Sequence, residues 1–255
     1  MIDNGYLFAK DESRLFINTS LGCNSKCRFC YLSKLGMSTI KSKTWEEVLE
    51  LLNESDYKYT KDTLITIGCF SECFDELNKS ETIKLIKYFL NNGNSVQMST
   101  KRYVSYEDVK EIIPLIKYKG QFTIFISSSS ITSHDYYEEK TESVIRRFKS
   151  FELLSSNIPV VLYIKPVLQN VTLKDIEFYK KYIEVYKIKD VVVGTMFTEK
   201  VNRETVHFSN DDKLFYNECE DEDKIANILC NCVRVWRRST EVINFFKENV
   251  NDRRS

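Results

Sequence analysis

The chain has 255 residues, 42% hydrophobic and 29% charged, enough for one domain-sized core. Its 37 Lys and Arg balance its 37 Asp and Glu, which argues against a protein held to nucleic acid mainly through phosphate contacts. No run approaches the roughly 18 to 20 apolar residues that span a bilayer, and the opening MIDNGYLFAKDESR lacks the apolar stretch of a secretory signal, so the expectation is a cytoplasmic protein with no membrane association.

Short apolar, β-rich runs occur at Leu15–Asn18, Thr63–Ile67, Ser95–Ser99, Phe122–Ser127, Val160–Lys165 and Asp190–Val193. Amphipathic stretches separate them. Thr44 and Glu47 form a capping-box pattern that starts a helix with Val48, Leu49, Leu51 and Leu52 on its apolar face. Further helical patterns cover 80–91, 105–117, 142–156 and 172–186, with Ser80, Ser105, Thr141 and Thr172 as N-caps and Pro114 kinking or ending the 105–117 helix. Strands alternating with helices imply parallel pairing through right-handed crossovers, and nearly continuous apolar strands imply burial on both faces. A partly open (β/α)₆ barrel and a flat doubly wound sheet fit this count equally well. Both gather functional groups at the C-terminal ends of the strands. Beyond 195 the pattern is less regular, with helices near 222–231 and 238–249, so residues 1–195 are read as the barrel or sheet and 196–255 as a short, mostly helical C-terminal extension.

Eight cysteines in a reducing compartment point to metal or redox chemistry rather than disulfides. Cys23, Cys27 and Cys30 lie within eight residues, in the loop after the first strand. Three thiolates fill three of the four iron positions of a cubane Fe–S cluster and leave one open, as a catalytic metal requires. A zinc site wants four ligands, in pairs such as C-x₂-C, and the two histidines, His134 and His207, are remote in sequence. Zinc or buried structural cysteines are the alternative at this point.

Cys23-x₃-Cys27-x-Phe29-Cys30 resembles the signature of the radical S-adenosylmethionine (SAM) superfamily. The resemblance implies a [4Fe–4S] cluster on these three cysteines, with SAM bound to the free iron through its amino and carboxylate groups. It implies one-electron cleavage of SAM to a 5′-deoxyadenosyl radical that abstracts hydrogen from a substrate, with electrons from a donor such as flavodoxin or ferredoxin. It also implies a partial (β/α)₆ TIM-like barrel rather than a flat sheet.

The resemblance runs from Leu15 to about Gly194 and looks closest to the spore photoproduct lyase-like branch. It implies that Glu72, in the loop after strand two, binds the SAM ammonium. Lys101, after strand three, would reach the SAM carboxylate, and Ser127, ending strand four, the ribose or the carboxylate. Arg147 would pair with Glu138 or with the SAM carboxylate. Phe29 and the Tyr163–Val167 segment would lie near the adenine, and Gly194 would allow a close approach. Cys69 would return a hydrogen atom to the product radical, with Cys73 as its redox partner or as core. Taken alone, these residues also read as a loop acid, a surface lysine, turn serines, a surface arginine and a small buried hydrophobe.

Cys219, Cys230 and Cys232 in the tail raise an auxiliary Fe–S cluster, which would accompany peptide or protein modification, although Cys230 and Cys232 on one helix would point to different faces. Spore photoproduct lyases carry a substantial region ahead of the cluster loop, which here begins at residue 23, and the absent basic excess weakens DNA as the substrate. The substrate stays open among a nucleic-acid base, a peptide or protein, and a small molecule. The competing reading of another class is a non-catalytic Fe–S or zinc module.

Overall fold

Eight strands form the central sheet in the computed structural model, which describes residues 7–37, 39–155, 157–198 and 215–251. They are β1 (Phe8–Lys10), β2 (Arg14–Ile17), β3 (Leu64–Ile67), β4 (Val96–Thr100), β5 (Phe122–Ser127), β6 (Val160–Ile164), β7 (Asp190–Val193) and β8 (Arg234–Trp236). Their order across the sheet is their order in the chain. β1 is antiparallel to β2, and every later neighbour is parallel. A sheet that adds strands in one direction only never reverses its winding, so the helices stay on one side and the sheet curls into a barrel. The edges β1 and β8 are not paired to each other, which leaves the barrel partial.

The strand period sorts the side chains. Leu15, Ile17, Ile65, Ile67, Val96, Met98, Ile124, Ile126, Leu162 and Ile164 join the large core with the helices. Alternate residues, among them Arg14, Thr66, Gln97, Ser99, Phe125 and Tyr163, line the interior.

The helices are α1 (Trp45–Glu54), α2 (Lys79–Asn91), α3 (Tyr106–Val109), α4 (His134–Tyr137), α5 (Val144–Phe148), α6 (Ile176–Val185), α7 (Glu220–Leu229) and α8 (Ser239–Asn251). The capping box of α1 is formed as expected: Glu47 N donates to Thr44 Oγ1 at 3.3 Å and Thr44 N to Glu47 Oε2 at 2.7 Å. Ser105 caps α3, and Pro114 sits in a separate 3₁₀ turn, Ile113–Leu115, so the expected 105–117 helix is broken there. Other expected caps act elsewhere. α2 begins one residue before Ser80. Thr141 Oγ1 donates to Glu138 O at 2.8 Å, and Ser143 caps α5 instead. Thr172 Oγ1 donates to Ser129 O at 2.7 Å, and a 3₁₀ turn, Thr172–Asp175, precedes α6.

The segment after 195 is more than a helical appendage, because β8 joins the barrel sheet beside β7. Asp190 holds it there, accepting bonds from Arg234 Nε and Nη2, both at 2.8 Å, and from Trp236 Nε1 at 2.9 Å. α8 then enters the barrel. Its Val242, Ile243 and Phe246 pack with the inward-facing Leu64, Phe125, Val161 and Val192. Phe246 also packs on Gly120, just ahead of β5, where a Cβ would come within 2.5 Å. The helix therefore plugs the N-terminal end of the barrel and leaves the C-terminal mouth for the site.

Phe246→Ala is expected to lower stability by about 3 kcal/mol, the low end for truncating a buried Phe. Denaturant unfolding measures it, and a loss well below 1 kcal/mol would show that α8 does not plug the barrel in solution.

Candidate active site

A cavity of ≈ 550 Å³ opens at the C-terminal mouth, and Cys23, Cys27 and Cys30 all line it. The chain reaches this rim through Gly22, whose φ of +88° is disfavoured for any other residue and whose Cβ would lie 2.4 Å from Thr39 O. Gly22 N donates to Phe70 O at 2.9 Å, and Gly22 forms an isolated bridge with Ser71, tying the cysteine loop to the loop after β3. On its other side, Lys26 and Cys27 pair antiparallel with Glu139 and Glu138. Within the loop, Ser25 N donates to Cys23 Sγ at 3.3 Å and Cys30 N to Cys27 O at 3.0 Å.

All three thiols are half-buried, and burial raises their pKa values, that of Cys27 to about 12. Lys101 opposes this at Cys27 and Cys30, while Glu72 adds to it at Cys23. A bound metal supplies the positive charge that makes such thiols thiolates. Among the described residues no three His, Cys, Asp or Glu side chains converge as ligands of one metal ion. A zinc site wants four ligands, whereas a cubane can take three thiolates and keep one iron open, so the donor set of three thiols on one cavity fits such a cluster. His134 is engaged elsewhere, Nε2 with Thr141 Oγ1 at 2.9 Å, and His207 lies outside the described residues.

The other expected residues fall into two shells. Phe29, Glu72, Lys101 and Ser127 line the cavity with the cysteines. Glu72, on the loop after β3, accepts from Phe74 N at 3.1 Å and Lys101 N at 2.8 Å, and also from Thr100 Oγ1. Three donors on a buried carboxylate fix its position. Lys101 Nζ bonds Ser127 Oγ, sits 3.5 Å from Glu138 Oε1 and lies 5.6 Å from the Phe29 ring centroid. Ser127 Oγ donates in turn to Lys165 O at 3.1 Å.

Arg147 stands behind this wall. It is fully buried and does not line the cavity. Its Nη2 donates to Glu138 Oε2 at 2.8 Å and its Nη1 to Ser127 O. Of the two expected partners, the structure gives it Glu138, so it positions Glu138 and the end of β5. Burial works against a charged Glu138, yet Arg147 and then Lys101 outweigh it and hold the carboxyl below its usual range.

Cys69 faces the cavity between the cysteine loop and β6. Burial pushes its thiol up to about 12, against Arg14 and Lys165, so at neutral pH it is S–H. Tyr31, which the sequence reading passed over, donates its hydroxyl to Cys69 O. Its place directly after Cys30 was the available signal. Cys73 is fully buried with its thiol donating to Ser99 O at 3.4 Å, which makes it core. Cys219 and Cys230 cap opposite ends of α7, a ten-residue helix about 15 Å long, and Cys230 and Cys232 are exposed. These three thiols do not form a ligand set, so the expectation of an auxiliary cluster there finds no support in the geometry.

The family model of the radical SAM superfamily matches residues 17–183. No curated protein sequence matches the chain. Among solved structures, a spore photoproduct lyase complexed with dinucleoside spore photoproduct superposes with a TM-score of 0.65 at 14% identity, covering 92% of this chain and 80% of that one. A variant of that lyase with bound AdoMet and the same dinucleoside gives 0.62 at 14% identity, over 90% and 78%. SuiB of Streptococcus suis bound to S-adenosylmethionine gives 0.54 at 13% identity, over 88% of this chain and 50% of that one. At these identities the likeness is one of fold.

Arg147→Met leaves Glu138 buried without its guanidinium and is expected to cost about 3–5 kcal/mol in denaturant unfolding. Adding Glu138→Leu removes the stranded charge and should recover at least half of that loss. Equal destabilisation of the single and double variants would contradict this account of the pair.

Proposed function

The chain belongs to the radical SAM superfamily, and from that membership we propose that Cys23, Cys27 and Cys30 hold a [4Fe–4S] cluster whose fourth iron takes SAM in the cavity beside them. When bound, cluster and cofactor supply a 5′-deoxyadenosyl radical that removes hydrogen from a substrate. The observation that carries the assignment is the rim itself: three half-buried cysteines line one cavity, next to a fixed carboxylate and a lysine.

Each wall residue has a role in this reading. Glu72 holds the SAM ammonium, its carboxylate fixed in place by Lys101 N and Phe74 N. Lys101 and Ser127 hold the SAM carboxylate and exchange their mutual hydrogen bond for it. Phe29 packs near the adenine. Arg147 acts through Ser127 and Glu138 as a positioning residue.

Cys69 gives its sulfur-bound hydrogen atom to the carbon radical left on the substrate: the S–H bond breaks, a C–H bond forms and the sulfur keeps the unpaired electron. Its high pKa keeps that hydrogen in place at neutral pH. This closing step makes the reaction spore photoproduct lyase-like in kind. The reducing electron comes from an external donor such as flavodoxin or ferredoxin, and reduced thiols fit a cytoplasmic setting. No helix among the described residues is long and apolar enough to cross a membrane.

Anaerobic reconstitution, reduction with dithionite and addition of SAM should yield 5′-deoxyadenosine. Cys27→Ala should abolish both the visible absorption of the cluster and the product, and Cys232→Ser should keep both. Untouched SAM, together with stoichiometric zinc in the wild-type protein, would overturn the proposal.

A further inference from the structure

The cavity extends well beyond the cysteine loop. Its wall also includes Arg14 and Phe16 of β2, Tyr163 and Lys165 at the end of β6, and Arg238 and Ser239 where the chain enters α8. Most charges here are internally matched. Arg14 lies 2.6 Å from Asp11, and Arg237 lies 2.9 Å from Asp223. Two cations remain. Neither Lys165 nor Arg238 has a carboxylate at ion-pair distance among the described residues.

Lys165 is unusual for a lysine. Its Nζ has ring faces beside it, 4.8 Å from the Phe197 centroid and 5.9 Å from that of Tyr163. Burial first, then the neighbouring Arg14, hold its pKa down to about 8, while Cys69 and Glu222 pull the other way. A desolvated ammonium beside another cation is the arrangement that an incoming anion relieves. The stem is held in place by Gly194, where a Cβ would come within 2.8 Å of Lys165 Cδ.

Arg238 is exposed at the rim, and Ser239 and Thr240 beside it open the thirteen-residue α8 toward the same space. The remaining acids of the lining, Glu12 and Glu218, are exposed as well. An interior ammonium and a rim guanidinium line one volume and are near enough for Arg238 to help lower the lysine's pKa, while the start of α8 is already capped by Glu241, whose Oε2 accepts from Arg237 N at 2.9 Å and Arg238 N at 3.2 Å. A phosphate group carries close to two negative charges and so matches two cations, whereas a carboxylate carries one.

We propose that this wall of the cavity anchors the substrate by a phosphate group, held by Lys165 in the interior and by Arg238 at the rim. Cys69 lines the same cavity and neighbours Lys165, so a substrate anchored there would present its reacting carbon to the thiol. Binding energy gathered at a non-reacting phosphate is the kind that orients the reacting centre. The inference rests on the reading that SAM fills the cysteine end.

The test is calorimetric titration of the reconstituted, SAM-bound protein with inorganic phosphate, run beside the 5′-deoxyadenosine assay on the same preparation. Saturable binding is expected. It should weaken at least tenfold in Lys165→Met and severalfold in Arg238→Gln, and stay unchanged in Lys180→Met, an exposed lysine bonded to Glu177 on α6. Acetate should bind at least tenfold more weakly than phosphate. Cluster absorption checks that each variant is folded. No saturable phosphate binding, equal binding in Lys165→Met and Arg238→Gln, or acetate as tight as phosphate would overturn the anchor. A preparation that makes 5′-deoxyadenosine but binds no phosphate sinks the anchor alone. One that binds phosphate through Lys165 but makes no 5′-deoxyadenosine sinks the underlying reading alone.

Discussion

Strands that run the same way deliver their C-terminal ends to one mouth, and the cysteine loop leaves the first of them there. Everything else in the site follows from where that loop can sit. Gly22 makes the turn, the bridge to Ser71 ties the loop to the end of β3, and the pairing of Cys27 with Glu138 ties it to the segment after β5. All three cysteines thereby line the same cavity. A rim of three sulfurs suits a cluster with one iron left for another ligand.

The wall opposite is electrostatic. Glu138 is the junction, bonded to the buried Arg147 on one side, near Lys101 on the other and paired in backbone with Cys27. A buried ion pair contributes little net stability, because desolvation offsets most of the attraction. Its use here is geometric, since Arg147 fixes the end of β5 and Lys101 spans from that end toward the cysteines. The same economy governs the closed end of the barrel, where α8 fills the inner face with apolar side chains and brings its first turn to the cavity.

Much of this was legible in the sequence, and the reasons are specific. The six long strands announced themselves because burial on both faces demands unbroken apolar runs. That Cys23, Cys27 and Cys30 would share the mouth was legible because their loop directly follows a strand of the parallel set. Strands β1 and β8 were not, since three residues are too few to show a period. Thr141 and Thr172 looked like caps, but a hydroxyl can serve any nearby carbonyl, and Glu138 O and Ser129 O took them. The amphipathic pattern of α8 was visible, but nothing local said that its apolar face would turn into the barrel. Lys165 was hidden for a similar reason: its loneliness in the cavity depends on β2, β6 and the tail meeting in space. The tail cysteines were close in sequence, and a helix between Cys219 and Cys230 carried them apart.

The central claim is an iron of the cluster that no cysteine of this chain holds and that SAM ligates. Electron paramagnetic resonance of the reconstituted, reduced protein tests it directly, recorded before and after SAM is added. The account predicts about four irons per chain and a reduced-cluster spectrum that changes when SAM binds. A spectrum indifferent to SAM would contradict it.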